Sequence, residues 1–370
     1  MKKILIIKPD NIGDFVIFSG LLEYYARIFK NYKIDLVCEE RVVELARNCP
    51  YLNKIIPYSH EGNLFIRILN KLLFRRKLQA RKYNSFVRLL RKDVYDKLIY
   101  PVYSRLMEHE NIINLVKTKE KIVFDGNFTN DLAGTRFANN KKYTKVVKSS
   151  EEDLNEMERN LEFLRELGFE DEIEEMNSKV WVSKKNIITA LELQKKNDLQ
   201  DKRFIMCSPG ATSNVRIWDL EKWIEIIQYM LTNTLHKIVF CGNSNDEIII
   251  DKIKTSISDY NKRIIDLSEK TSLSVLAQLI DNSYLFIGSE SGPIHIAAAV
   301  KTPNICIMGG GHFGRFYPYG NLKINRIVYK KMDCFGCNWQ CRFNRIKCMD
   351  QIEPKDVIKE INYLLKKEKL

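Results

Sequence analysis

Tyr284-Leu285-Phe286-Ile287-Gly288-Ser289-Glu290-Ser291-Gly292-Pro293-Ile294-His295-Ile296-Ala297-Ala298-Ala299 is the stretch that decides the fold class. An unbroken apolar run ends at Gly288, small polar residues follow, and Pro293 opens a helix of small apolar residues. A strand apolar at every position is covered on both faces, which is the situation in a parallel sheet. The same unit recurs around it. Further β-rich runs lie at 203–207, 237–241, 263–267 and 304–308. Helical spacing separates them: Leu220, Trp223, Ile227 and Met230 follow the N-cap residue Asp219, and Leu273, Leu276, Leu279 and Ile280 follow Thr271 and Ser272. With right-handed crossovers this alternation predicts a doubly wound, Rossmann-like α/β domain.

The first half opens in the same way. Residues 4–8 read as a strand, and Phe15, Phe18, Leu22, Tyr25 and Phe29 share one helical face. Strands are expected at 34–38, 54–57 and 121–124, and a helix at 151–167 with Leu154, Met157, Leu161 and Leu164 inward. Between 62 and 120 the pattern loosens and no full order of elements emerges. A helix and the connection between domains are expected in the charged region 184–202. The 370 residues suffice for two domains. We place them at 1–185 and 186–352, facing each other across a cleft, with a last helix in 353–370, opened by Pro354, packing back across the junction.

Composition narrows the classes. At 45% hydrophobic the chain is an ordinary globular one, not a disordered one. No apolar run approaches the ~20 residues of a membrane span. The run at the N-terminus is broken by Lys8, Pro9 and Asp10, so it reads as a strand rather than a signal peptide, and a cytoplasmic protein is expected. The net charge of +13 is concentrated at 67–97, where Arg67, Lys71, Arg75, Arg76 and Lys77 begin a basic run opposed only by Asp93 and Asp96. Leu64, Ile68, Leu72 and Leu78 lie among these cations as in an amphipathic surface element, which is either a solvated helix face or a surface in peripheral contact with an anionic membrane. The competing reading is a nucleic-acid-binding protein with a zinc knuckle. It lacks any established motif around the patch and leaves two α/β domains without a role, so no nucleic-acid partner is expected.

Nine cysteines without an export signal do not indicate a disulfide framework. Cys38, Cys49, Cys207, Cys241 and Cys306 are expected in the core. Cys334, Cys337, Cys341 and Cys348 have the spacing C-x2-C-x3-C-x6-C, which brings four soft ligands within reach of one structural zinc or iron ion; the alternatives are reduced, unliganded thiols or disulfides formed after lysis.

Ligands of open α/β sheets bind beyond the carboxyl ends of the strands. Four such places carry informative residues. Gly13 permits a tight turn before Asp14, which either caps a helix or serves as a general base. The segment from Ser208 through Gly210 and Thr212 to Arg216 offers backbone N–H groups and a guanidinium to a phosphate. Ser291, Gly292 and Pro293, after Glu290 and before His295, put a helix N-terminus where a pyrophosphate can sit. The spacing is not GxGxxG, which disfavours a dinucleotide-dependent dehydrogenase. Gly309-Gly310-Gly311 suggests backbone close to a ligand, or a mobile loop.

Together these segments resemble glycosyltransferase family 9, the ADP-heptose:lipopolysaccharide heptosyltransferases of the GT-B fold. The resemblance rests on Ile12-Gly13-Asp14, the loop from Gly210 to Arg216-Ile217-Trp218, the turn Ser289-Glu290-Ser291-Gly292-Pro293-Ile294-His295, and Arg315-Phe316-Tyr317-Pro318-Tyr319-Gly320. It implies inverting transfer of heptose from an ADP-sugar to a hydroxyl of a lipid-linked, lipopolysaccharide-core glycan at the inner face of the cytoplasmic membrane. It also implies Asp14 as base, Arg216 on the donor phosphates, the turn at Ser291 with His295 alongside the nucleotide, Asp246 near the ribose, and no catalytic metal. Glu290 departs from the Asp of many members. Transfer to a protein hydroxyl or another glycan, from a different nucleotide sugar, is the alternative within the same chemistry.

Overall fold

Ile4, Leu5, Ile6 and Ile7 are wholly buried in the first strand, β1 (Lys2–Lys8), and every neighbouring strand runs parallel to it. The computed structural model describes residues 2–59, 73–131, 134, 136–173 and 176–366. β2 (Tyr32–Glu39), β3 (Lys54–Tyr58), β4 (Tyr95–Tyr100), β5 (Thr118–Phe124) and β6 (Lys145–Val147) complete one sheet, in the order β3-β2-β1-β4-β5-β6. The second sheet repeats that order. β7 (Phe204–Ser208), β8 (Lys237–Phe240), β9 (Ile264–Asp266), β10 (Leu285–Ser289), β11 (Asn304–Ile307) and β12 (Asn325–Val328) stand as β12-β11-β10-β7-β8-β9, all parallel. Both sheets are therefore doubly wound α/β, as expected. They lie in two units, Met1–Glu174 and Glu175–Leu370.

Strands β4, β6 and β12 escape the hydrophobic pattern for a shared reason. β4 spends its first half on Tyr95-Asp96-Lys97, and β6 and β12 are short edge strands carrying Lys145 and Arg326. The helical face from Phe15 to Phe29 is real, but it belongs to two helices, Ile12–Ser19 and Leu22–Ile28, separated at Gly20 and Leu21. Gly13 lies inside the first of them, so it is a helical residue and not the pivot of a turn. The helix expected from residue 151 begins at Glu156, because Asn155 caps it: its side chain accepts from Met157 and Glu158 N–H, and Glu158 accepts from Asn155 N–H in return.

In the second unit Asp219 accepts from the N–H groups of Glu221 (3.0 Å) and Lys222 (3.3 Å) and starts the helix Leu220–Asn233. That helix lays Trp223, Ile227 and Met230 on the sheet. Trp218 packs edge-on against Trp223 with ring centroids 5.8 Å apart and donates to the Ile352 carbonyl at 3.1 Å. Full burial of each such side chain contributes about 1.5–3 kcal/mol. The helix Lys184–Lys196 packs on Leu273–Asp281, and the last helix, Pro354–Lys366, packs on Leu220–Asn233 and on β11 and β12. All five scattered cysteines are buried.

Leu64, Ile68 and Leu72 fall outside the described residues, as does the side chain of Leu78. The helix Leu73–Arg91 carries much of the basic run. Its Lys82 pairs with Glu40 at 2.9 Å. Asp93, one of the two acids in that run, is committed to Lys3 and to Lys54 (2.8 Å). No helix among the described residues is long and apolar enough to cross a membrane.

Candidate functional site

The register of the second sheet brings two loops together. β7 pairs with β10 so that Ser208 stands opposite Gly288, at the point where the strand order reverses. Pro209-Gly210 and Ser289-Glu290 therefore leave the sheet side by side, and the Ser289 hydroxyl meets the Pro209 carbonyl at 3.5 Å. At the end of the first loop a short 3-10 turn, Asn214–Arg216, delivers Arg216 to Glu290. Its Nη1 lies 3.4 Å from the Glu290 carbonyl oxygen and 3.6 Å from Oε1 of the carboxyl group. The Arg216 side chain keeps about a quarter of its surface exposed (25%), whereas Glu290 is buried (3%). This corner joins a cation open to a ligand with a carboxyl group that is not.

Burial pushes the Glu290 carboxyl up to about 7, although the guanidinium groups of Arg216 and Arg315 pull the other way. Its Oε2 has no hydrogen-bond partner among the described residues. A raised acid favours the folded state below the ordinary value of 4.5, and that contribution is lost as pH rises through about 7. We therefore expect Glu290→Gln to be more stable than wild type by about 3 kcal/mol at pH 8 and indistinguishable from it at pH 4. Thermal melts of both proteins across that range check this; parallel curves would show that folding leaves the Glu290 pKa at its ordinary value.

Beyond Glu290, Ser291 is the N-cap of the helix Gly292–Ala299, with Pro293 in its first turn. The Ser291 hydroxyl turns back to the Ser289 carbonyl at 3.3 Å and makes no cap bond. His295 is interior. It stacks on Tyr319 at 5.7 Å with an angle of 4°, its Nδ1 lies 3.2 Å from the Tyr319 hydroxyl, and burial brings its pKa down to about 3. Asp246 is also buried and accepts from Asn243 N–H at 2.9 Å. Burial raises its pKa against that bond. A Cβ on Gly210 would overlap the Asp246 carboxyl group, which explains the glycine there. Thr212 is exposed on the same loop.

A model described as glycosyltransferase family 9 (heptosyltransferase) matches residues 88–344. The chain belongs to this family. Lipopolysaccharide heptosyltransferase 3 of Escherichia coli K12 is 24% identical over 305 residues, covering 80% of this chain and 79% of that protein. The family 9 glycosyltransferase of Veillonella parvula has a TM-score of 0.74 at 17% identity, over 99% of this chain and 97% of its own. The E. coli heptosyltransferase WaaC, solved with ADP-2-deoxy-2-fluoro heptose, has a TM-score of 0.69 at 17% identity, over 97% and 99% of the two chains. The fold is GT-B, and the protein is a glycosyltransferase.

In this family-9 chain Asp14 occupies the first turn of the helix Ile12–Ser19, whose N-cap is Asn11. Behind it is a group that sequence reasoning missed. Lys8, at the end of β1, is wholly buried, 2.7 Å from Asp10 and over the ring of Phe18 at 5.6 Å. Burial lowers the pKa of this ammonium, but the carboxylates of Asp10, Glu156 and Asp14 outweigh it and raise the pKa. The only trace of this ammonium in the sequence is the lysine that interrupts an apolar strand.

The triple glycine serves packing. A Cβ on Gly310 would overlap the ring of Phe335, one on Gly311 the ring of Trp339, and one on Gly309 would come within 2.8 Å of Trp339 and 3.0 Å of the Met349 sulfur. The covering segment holds the four clustered cysteines. Cys334, Cys337 and Cys341 are half-buried, and the buried Cys348 sulfur accepts from Gly310 N–H at 3.3 Å. Burial raises the Cys348 pKa, and the other three thiols add to the effect. Among the described residues no three His, Cys, Asp or Glu side chains already stand in ion-holding geometry.

Proposed function

We propose that this glycosyltransferase transfers heptose from an ADP-heptose-like donor to a hydroxyl of a lipopolysaccharide-core glycan, with inversion. The observation that carries the reading is the corner of Arg216 and Glu290 at the strand-order reversal of a family-9 chain. ADP as the nucleotide is supported by the fold shared with WaaC, and the acceptor class by the relatives' names. Arg216 holds the diphosphate and neutralises the charge that develops as it leaves, with the positive end of the helix Gly292–Ala299 adding to it. Gly210, Thr212 and the Ser291–Pro293 turn line the phosphate path, with Asp246 toward the ribose and His295 as a neutral support. The acceptor hydroxyl attacks from the face opposite the leaving group, and Asp14 takes its proton as the oxygen acidifies. With side-chain and helix-end charge in these roles, the reaction needs no catalytic metal. A thermal-shift panel of nucleotide sugars tests the donor. ADP-heptose at ~100 times its dissociation constant should add ~2.7 kcal/mol, and stabilisation only by sugars on other nucleotides would contradict the reading.

The four thiols form a soft donor set that suits zinc or iron, and such an ion would be a structural tie before the last helix. Closing it requires Cys334, Cys337 and Cys341 to draw in on Cys348. Elemental analysis of protein purified without an affinity-metal step should find about one ion per chain, as a single four-ligand site requires; a trace amount, with the protein folded and the thiols titratable, would remove the ion. The basic helix Leu73–Arg91 is proposed to rest on anionic lipid, where lipid-linked acceptors lie. Flotation with anionic vesicles should show binding at low salt that is lost at high salt, and no binding at low salt would end this part of the account.

A further inference from the structure

Arg216 has a second set of contacts, supplied by Trp339 of the cysteine segment and by His312 of the glycine loop beneath it. Its guanidinium lies over the ring of Trp339 at 5.7 Å, and Nη2 lies 3.4 Å from His312 Nδ1. Trp339 donates its ring N–H to that same nitrogen at 3.2 Å. An indole N–H can only donate, so Nδ1 of His312 is the acceptor and the ring proton sits on Nε2. Nε2 in turn donates to the side-chain oxygen Oδ1 of Asn338 at 2.6 Å. One imidazole is thus gripped on both nitrogens by consecutive residues, and both grips come from one turn.

That turn is built at a cost. Asn338 and Trp339 both have left-handed backbone, φ 50° and 62°, which is unusual for a tryptophan. It is held in place by backbone bonds from Gly336 N–H to Gly310 O (2.9 Å) and from Asn338 N–H to Gly311 O (3.0 Å), and by the glycines that leave room for the rings. A segment needed only to pin the last helix requires neither a strained Trp nor contacts to a cation at the strand ends.

We infer that Asn338 and Trp339 are positioning residues of the donor site: the cysteine segment orients Arg216, directly through the Trp339 ring and indirectly through His312, toward the nucleotide diphosphate. The inference rests on the proposed role of Arg216. It makes the order of the cysteine segment a determinant of donor affinity, not of stability alone.

Calorimetric titration of ADP, with steady-state kinetics in the nucleotide sugar, tests it on full-length protein. Trp339→Ala should weaken ADP binding ~2–30-fold, the range for a lost cation–π contact, and raise KM for the donor in parallel. Trp339→Phe keeps a ring under Arg216 and should recover most of the loss. Asn338→Gly suits the left-handed backbone and removes only the His312 acceptor, so it tests the relay even where Trp339→Ala fails to fold. Combined with Arg216→Ala, Trp339→Ala should add no further loss of ADP affinity. A purely structural segment would lower Tm and leave ADP affinity per folded molecule unchanged in both Trp339→Ala and Asn338→Gly. That result, or losses that multiply in the double variant, overturns the inference. If Arg216→Ala itself binds ADP normally, the donor-site reading fails first, so the two failures are distinguishable.

Discussion

Asp14→Asn should turn over ~10²–10⁴-fold more slowly than wild type while binding ADP with unchanged affinity. Asn has the shape of Asp and keeps a polar group in the first turn of the helix Ile12–Ser19, so the local fold survives. What is lost is the base. The buried Lys8 ammonium behind it, paired with Asp10 at 2.7 Å, favours the ionised form of any carboxyl group beside it. Steady-state rates and an ADP titration on the same preparation decide the matter. A folded Asp14→Asn protein with near-normal turnover would remove Asp14 from the chemistry.

Arg216→Ala carries the second large effect. A charge-assisted contact to phosphate contributes about 1.5–3 kcal/mol, so ADP affinity should fall ~10–150-fold. Turnover should fall as well, because the same cation meets the charge of the departing diphosphate. The substitution also leaves Glu290 buried without the cation 3.6 Å from its carboxyl group. Arg216 is one of the two groups that hold the Glu290 pKa down, so without it the carboxyl group takes up its proton at higher pH. Wild type and variant titrated with ADP across about pH 6–8 separate the contributions: equal affinity at every pH would show that Arg216 does not touch the diphosphate.

Much of this architecture is legible in the residues because the parallel strands are buried on both faces. Uninterrupted runs such as 284–288 and 304–308 cannot be mistaken for half-exposed strands, and the caps Asp219, Ser272 and Asn155 mark where helices begin. Where strands lie at an edge or carry charge, as β6, β12 and the first half of β4 do, the apolar signal falls below what a pattern can carry. The site divides in the same way. Arg216, Glu290 and Ser291 are readable because each follows a clear strand end. Lys8 and Trp339 are not, since what matters about them is the neighbour they meet. Lys8 looks like a polar interruption of a strand, and Trp339 like filling between cysteines. The triple glycine did give a signal, and the residues it accommodates are Phe335 and Trp339.

Incubating the wild-type protein with ADP-heptose and a lipopolysaccharide-core acceptor lacking its next heptose tests the central claim most directly. The account predicts that each acceptor gains one heptose with inverted anomeric configuration, that one ADP is released per transfer, and that both products are lost in Asp14→Asn. Transfer from a sugar on another nucleotide with none from ADP-heptose, or product with retained configuration, would contradict it.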